Sequence, residues 1–412
     1  MQDSKRLYYL DWLRVAAIIG VLFFHSAMPF AAESDWHIKN NETSDLFLEF
    51  NFFLSRFRMP LLFFISGAVA HFMLKNKTTG EFIWLRFKRL IIPVVFGMIF
   101  IVPVQVYMER VNQGFRGSLT DFYPTIFTSG VYPRGNLSWH HLWFIVYLFV
   151  YDLLLAPVFK LTAGLKDNSP FLKRLSTGKN IYIVMVPSVI LFAAMVRYFP
   201  QTHNLVNDWC WFIYWMLFFI AGFLFLRFPA LVSALERNRR VSITGGVATF
   251  LFINYLRWND LEPGESITDF VSAVKNYTYL ALYPLAAWCW VFAIIGYGRR
   301  YLNNHHFSLN YLNEAAYPFY IIHQSVIVVI AFYVVKTSDT ILAKYIFLVL
   351  TSLITSIFIY HLFIRRFTWT RFLMGGKKRN KKLITANQKL SPEIETKGEL
   401  TKPVQTERLV SI

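Results

Sequence analysis

Along most of this 412-residue chain, apolar and nearly uncharged stretches recur at about the length that crosses a ~30 Å hydrocarbon core as a helix. A soluble core rarely contains even one such stretch. Here they fall at about 8–30, 47–74, 90–108, 139–160, 181–199, 209–227, 241–257, 276–297, 315–336 and 341–364. Composition agrees, with 55% hydrophobic, 18% aromatic and only 16% charged residues. The expected fold is all-α: a polytopic integral membrane protein with about ten transmembrane helices. The first stretch does not read as a cleavable signal, because Asp11 and Arg14 interrupt it and no small-x-small site follows Phe30.

Lys and Arg fall on alternating connections: Lys5/Arg6, Lys75 to Lys77 with Arg86, Lys88 and Arg89, Lys160 to Lys179, Arg237 to Arg240, Arg299/Arg300, and the tail from Arg365. That side is expected to be cytoplasmic, with both termini on it. The opposite loops carry Glu33, Asp35, Glu42 and Asp45, and later Asp260, Glu262, Glu265 and Asp269. The formal charge of +18 is therefore spent on topology, and no nucleic-acid partner is expected. Residues 1–370 read as one membrane domain, and 371–412 as a basic, disordered cytoplasmic tail whose run Lys377 to Lys382 suits anionic headgroups. Cys210 and Cys289 lie inside spans and show no disulfide or metal spacing, so no metal is expected. The outer connection at about 109–138 is rich in Pro and Gly and reads as irregular. Asn41, Asn136 and Asn276 match a glycosylation pattern too short to carry weight.

The first span holds the most informative group, Asp11, Arg14 and His25. Charges in a membrane helix are costly, so they face the bundle or a wet cavity. At about 100° per residue Arg14 and His25 point within about 20° of each other but stand about 16 Å apart along the axis. A neutral imidazole suits activation of a hydroxyl. The alternative is an Asp11–Arg14 ion pair at the interface with His25 as a packing residue. Arg56 and Arg58, just before Pro60, point about 160° apart on a regular helix, so one snorkels or the helix is irregular. They suit a carboxylate, a phosphate or a developing oxyanion, or simple interfacial anchoring. Arg86, Lys88 and Arg89 are either positive-inside anchors or a phosphate-binding mouth for a nucleotide-like cofactor. His141 and Trp143 lie at the outer end of the fourth span, and His323 lies within the ninth.

Together these segments resemble the acyltransferase-3 family of membrane O-acyltransferases. The resemblance rests on Arg14, ten residues, then His25; on Arg56-x-Arg58; on the Phe63 to Gly67 run; on the basic segment Arg86 to Pro93; and on His141 to Phe144 and Tyr317 to Tyr320 with His323. It spans about residues 7–365. The Leu10 to Arg14 opening and the Tyr311 to Glu314 stretch are similar to the branch that contains the periplasmic-glucan succinyltransferases.

The resemblance implies transfer of an acetyl or succinyl group from cytoplasmic acyl-CoA to a hydroxyl of an extracytoplasmic glycan or glycolipid, in a bacterial cytoplasmic (inner) membrane. It implies His25 as base or transient acyl carrier, with Arg14 and Asp11 along the channel and Arg56 or Arg58 at the oxyanion or a donor carboxylate. Arg86, Lys88 and Arg89 would hold donor phosphates, and His141, Trp143, Glu314 and His323 would meet the acceptor. A transporter of a polar or anionic substrate is the alternative from the residues alone, since buried Arg, His and Glu also line carriers. A sensor or scaffold would tolerate His25→Ala.

Overall fold

The computed structural model describes residues 6–32, 35–165, 169–264 and 266–376. Of the disordered tail expected at 371–412, the structure describes only 371–376, which are helical up to Leu373; the rest lies outside the described residues, as do Lys5, Glu33 and Glu265. In chain order the helices are α1 (Tyr8–Ala27), α2 (Asp45–Leu74), α3 (Thr79–Phe96), α4 (Val102–Asn112), the short α5 (Leu119–Phe122) and α6 (Thr125–Thr128), α7 (Trp143–Leu161), α8 (Pro170–Ser176), α9 (Val186–Met195), α10 (Trp209–Arg227), α11 (Pro229–Trp258), α12 (Phe270–Tyr301), α13 (Phe307–Val334), α14 (Ile341–Ile359) and α15 (Thr368–Leu373). Among the described residues there is no strand, only isolated bridges at Ala31–Ser44 and Val131–Leu137.

By length and apolarity, eight helical runs among the described residues can cross a membrane, or nine if the bent pair 170–176 and 180–195 counts as one span. This trims the ten expected. The stretch expected at 241–257 lies in α11, which is long enough but is diluted by Ser242, Asn254 and Arg257. The one expected at 181–199 opens with a tight 3₁₀ segment, Asn180–Met185, and breaks from α8 by 102°. We call the side where α1 begins the near face and the side where it ends the far face.

Lipid offers no hydrophobic drive for helix association, so close packing must supply it. Gly67 and Gly222 show how. A Cβ on Gly67 would lie 1.9 Å from the Phe219 carbonyl oxygen, and one on Gly222 would lie 1.9 Å from that of Phe64. Only glycine lets the α2 and α10 backbones touch. This explains the small residue at the end of the Phe63 to Gly67 run. Around this seam, Phe63, Trp143, Tyr151, Phe212, Trp215 and Phe219 interlock in tilted contacts, with Phe63 stacked on Trp215 and Tyr151 edge-to-face with Phe212.

α2 runs unbroken through Pro60, so the two arginines diverge as a regular helix demands. The third span is irregular instead: α3 passes through a π-helical turn, Gly97–Ile101, into α4. Such turns free carbonyls. Ser325 of α13 donates to the Ile101 carbonyl at 2.9 Å, tying the turn to the neighbourhood of His323. The connection from 113 to 139 contains only α5 and α6 and is folded back by Arg110, which donates to Asn136 Oδ1 and to the carbonyls of Pro133 and Gly135.

Candidate active site

Histidines from distant parts of the chain meet near the far face. His25 sits near the end of α1 and His323 midway along α13. Their rings stack at 5.2 Å between centroids, with His25 Nδ1 3.0 Å from His323 Nε2. The proton positions follow from the next partner. His323 Nδ1 is 2.6 Å from the Tyr320 carbonyl oxygen, which can only accept, so His323 carries its proton on Nδ1. Its Nε2 is then an acceptor, and His25 must donate from Nδ1. That leaves the lone pair on His25 Nε2, which has no hydrogen-bond partner among the described residues. Two neutral histidines and a backbone carbonyl thus present one basic nitrogen in a defined direction.

His141 and Tyr320 frame the pair. His141 donates from Nε2 to the Ile321 carbonyl at 2.9 Å and stands edge-on to His323 at 5.3 Å. The Tyr320 hydroxyl donates back to the His141 carbonyl at 2.5 Å. The segment entering α7 and the middle of α13 are therefore cross-linked by two hydrogen bonds in the turn just before His323.

Arg58 supplies the charge. Its guanidinium carbon lies 3.4 Å from the centre of the Phe24 ring, beside His25, and its field reaches His25, Tyr320, His323 and His203. Its Nε and Nη1 are buried with no hydrogen-bond partner. A guanidinium in that state is costly unless a ligand completes it, which makes it an anion site. Arg56 faces the other way, packed on Phe52 and Tyr283 and bonded to Ser55. Both arginines line a cavity of about 70 Å³ with Tyr214, Trp215 and Tyr283.

The remaining expected residues lie elsewhere. Asp11 pairs with Arg6 at 2.7 Å, not with Arg14, which removes the Asp11–Arg14 ion pair as an alternative. Arg14 makes no hydrogen bond or ion pair among the described residues and lies within the fields of Asp11 and Arg86, towards the near face. Glu314 is held by Arg365 and Arg371 at the near-face start of α13, about 13 Å along the helix from His323, and does not reach the histidines. Trp143 is buried between His203, at 4.1 Å, and Trp215, at 4.5 Å. Burial and the charge of Arg58 hold the His203 imidazole down to about 4.

The expected phosphate mouth also divides. Arg86 is buried and bound to Asp152 of α7, while Lys88 lies over the Trp84 ring at 5.1 Å. Arg89 is half-buried, with its carbonyl against Gly375. The near-face cavity, about 670 Å³, instead draws its cations from the helix ends: Lys75, Lys160, Arg227 and Arg299, with His71 and Tyr9. Its size and charge fit a polyanionic ligand. Sequence reasoning missed this set because each cation alone reads as a topology anchor. Asp152, a lone carboxylate in an apolar span, was a readable sign that some buried cation needed a partner.

This combination of a membrane bundle, an oriented histidine base and an unsatisfied buried arginine suits acyl transfer, and comparison with known proteins bears on it directly. The model of the acyltransferase-3 family, an acyltransferase domain, matches residues 7–361, and the chain belongs to that family: it is a multi-pass membrane acyltransferase. Among curated proteins it is similar to "Glucans biosynthesis protein C" of Escherichia coli (strain K12) and of Shigella dysenteriae serotype 1 (strain Sd197). Each is 23% identical over 331 residues, covering 78% of this chain and 82% of the relative. No solved structure matches it.

Proposed function

We propose that this acyltransferase moves an acetyl or succinyl group from acyl-CoA, bound at the near face, to a hydroxyl of a glycan or glycolipid reached from the far face. The near face is cytoplasmic in this reading and the membrane is the bacterial inner membrane. The observation that carries it is the free Nε2 of His25, whose other nitrogen is committed to His323.

Lys75, Lys160, Arg227 and Arg299 hold the donor's phosphates. From Tyr9, on that cavity's wall, to His25 is about 24 Å along α1, and His25 lines neither cavity, so the donor's arm must part packed helices to reach it. His25 Nε2 takes the proton of the acceptor hydroxyl as its oxygen attacks the thioester carbonyl. The resulting imidazolium keeps its Nδ1–H on His323, and Arg58 donates to the developing oxyanion. When the carbon–sulfur bond breaks, His25 returns the proton to the thiolate, leaving an ester and a free thiol. In a variant of this sequence His25 Nε2 attacks the thioester carbonyl and expels the thiolate; the acceptor hydroxyl then attacks the acyl carbon, the carbon–nitrogen bond breaks to restore the neutral imidazole, and the hydroxyl proton passes to the thiolate. With a succinyl donor, the spare donors of Arg58 and the guanidinium of Arg56 also suit the distal carboxylate. The acceptor class rests on the name of the relatives and on the site's far-face position.

The test is mass spectrometry of envelope glycans and glycolipids from cells expressing wild type, His25→Ala, or no copy. An acyl mass increment present only with wild type identifies donor and acceptor together. Full modification with His25→Ala sinks the assignment of the base.

A further inference from the structure

A second group of polar side chains, distinct from the His25–His323 pair, lies on the far face. His37 comes from the loop after α1, Glu109 from the end of α4, and His140 from the 3₁₀ turn that opens into α7. One ligand atom from each falls within 4.8 Å of the others, and His37 Nδ1 already meets the Glu109 carboxylate. A tetrahedral zinc site holds its ligand atoms about 3.4 Å apart, given bonds of about 2.1 Å, so small side-chain rotations close this set around one ion.

Hydrogen bonding between His37 and Glu109 would satisfy that pair without any third member. It leaves His140 unexplained. The His140 Nε2 is buried and has no partner, while its Nδ1 lies 3.1 Å from Ser138 Oγ. The residue also holds a backbone φ of +38°, which a non-glycine residue adopts at a cost of about 1–3 kcal/mol. Its ring is set 4.8 Å from that of His37 and 4.6 Å from that of Tyr132. The backs of the other two residues are also held. Tyr132 donates its hydroxyl to Glu109 at 3.2 Å. The Gln324 amide lies 3.4 Å from the far nitrogen of His37. Arg110 approaches the outer Glu109 oxygen at 3.6 Å and Gln113 bonds to it, leaving the oxygen that faces His37 for a ligand role. Metal-binding histidines and carboxylates are oriented by outer partners of this kind.

We propose that His37, Glu109 and His140 bind one divalent transition-metal ion, zinc before cobalt or nickel. Two imidazoles and one carboxylate without thiolates suit these ions, whereas magnesium and calcium require more oxygen ligands. The ion clamps three far-face segments over the histidine pair, because His140 adjoins His141 and Gln324 adjoins His323. The proposal does not depend on which acyl donor or acceptor the enzyme uses.

The experiment purifies the full chain in detergent through a tag without histidine and measures metal by inductively coupled plasma mass spectrometry after dialysis against metal-free buffer. One zinc per chain is expected, with a chelator lowering the Tm and added zinc restoring it. His140→Ala and His37→Asn should lose the ion while eluting as wild type on size exclusion. Should those variants fail to fold, apo wild type titrated with cobalt supplies the answer, since tetrahedral nitrogen and oxygen ligation gives visible absorption bands. Wild type that is metal-free as isolated, shows no cobalt bands and keeps its Tm on adding zinc, cobalt or nickel would make the cluster a hydrogen-bonded network and overturn the proposal. Zinc retained by a folded His140→Ala would overturn the assignment to these residues.

Discussion

Removing His323 separates the orientation of the base from the base itself. In His323→Ala the Nδ1–H of His25 loses its acceptor, the imidazole is free to adopt its other tautomer, and the imidazolium formed in the transition state loses one hydrogen bond. A hydrogen bond to a charged group contributes about 1.5–3 kcal/mol. At about 1.36 kcal/mol per tenfold this corresponds to a fall in kcat of about 10- to 150-fold. The binding cavities do not include His323, so KM for the donor should stay within about threefold. His323→Gln places an amide oxygen where Nε2 stood and is expected to recover most of the rate. The assay is release of free thiol from acyl-CoA by the detergent-purified enzyme with acceptor present, at several donor concentrations. If His323→Ala keeps kcat within threefold of wild type, the tautomer argument is wrong and His25 is oriented by something else.

Gly67→Ala and Gly222→Ala should each lower the Tm in detergent sharply, at an overpacking cost of about 1–3 kcal/mol or more, because the added carbon meets backbone oxygen. Gly20→Ala, which meets nothing within 4 Å, is the neutral control in the same thermal assay. Asp152→Ala should destabilise by about 3–5 kcal/mol by stranding the buried Arg86 cation, whereas Arg86→Met with Asp152→Leu should recover much of the loss in a thermal-stability assay. That recovery, with donor KM unchanged, would mark Arg86 as structural; a raised donor KM in the double variant would return it to the donor site. His203, held at about 4 against an unfolded value near 6.5, lets the unfolded chain bind the extra proton between these limits. Its contribution is therefore full above pH 6.5, falls as pH drops towards 4, and levels below that. His203→Asn should flatten the Tm profile across that window, and an unchanged profile would show that His203 is not responsible.

Much of the architecture was legible because its causes are local. Span length answers to the thickness of the bilayer, and the divergence of Arg56 and Arg58 follows from helical pitch, which α2 keeps through Pro60. The place of His25 on an inward stripe follows from the cost of a polar group facing lipid. The limits of the same reasoning show at α11 and at the bent pair, where hydropathy is diluted and a break intervenes.

What only the tertiary structure decided are the partnerships. His323 is 298 positions from His25, and the direction of the base depends on a backbone carbonyl of Tyr320 that no residue type advertises. Arg86 answers to Asp152 rather than to Lys88 and Arg89, and the near-face cavity is assembled from the ends of separate helices. His37, Glu109 and His140 have no common spacing at all. In each case the distance between side chains is set by the register in which helices pack, and that register depends on contacts such as those of Gly67 and Gly222 with the opposing backbones. A periodic pattern names the face that a helix turns inward, but its neighbour across the bundle is chosen by shape, over separations in sequence that no local signal spans.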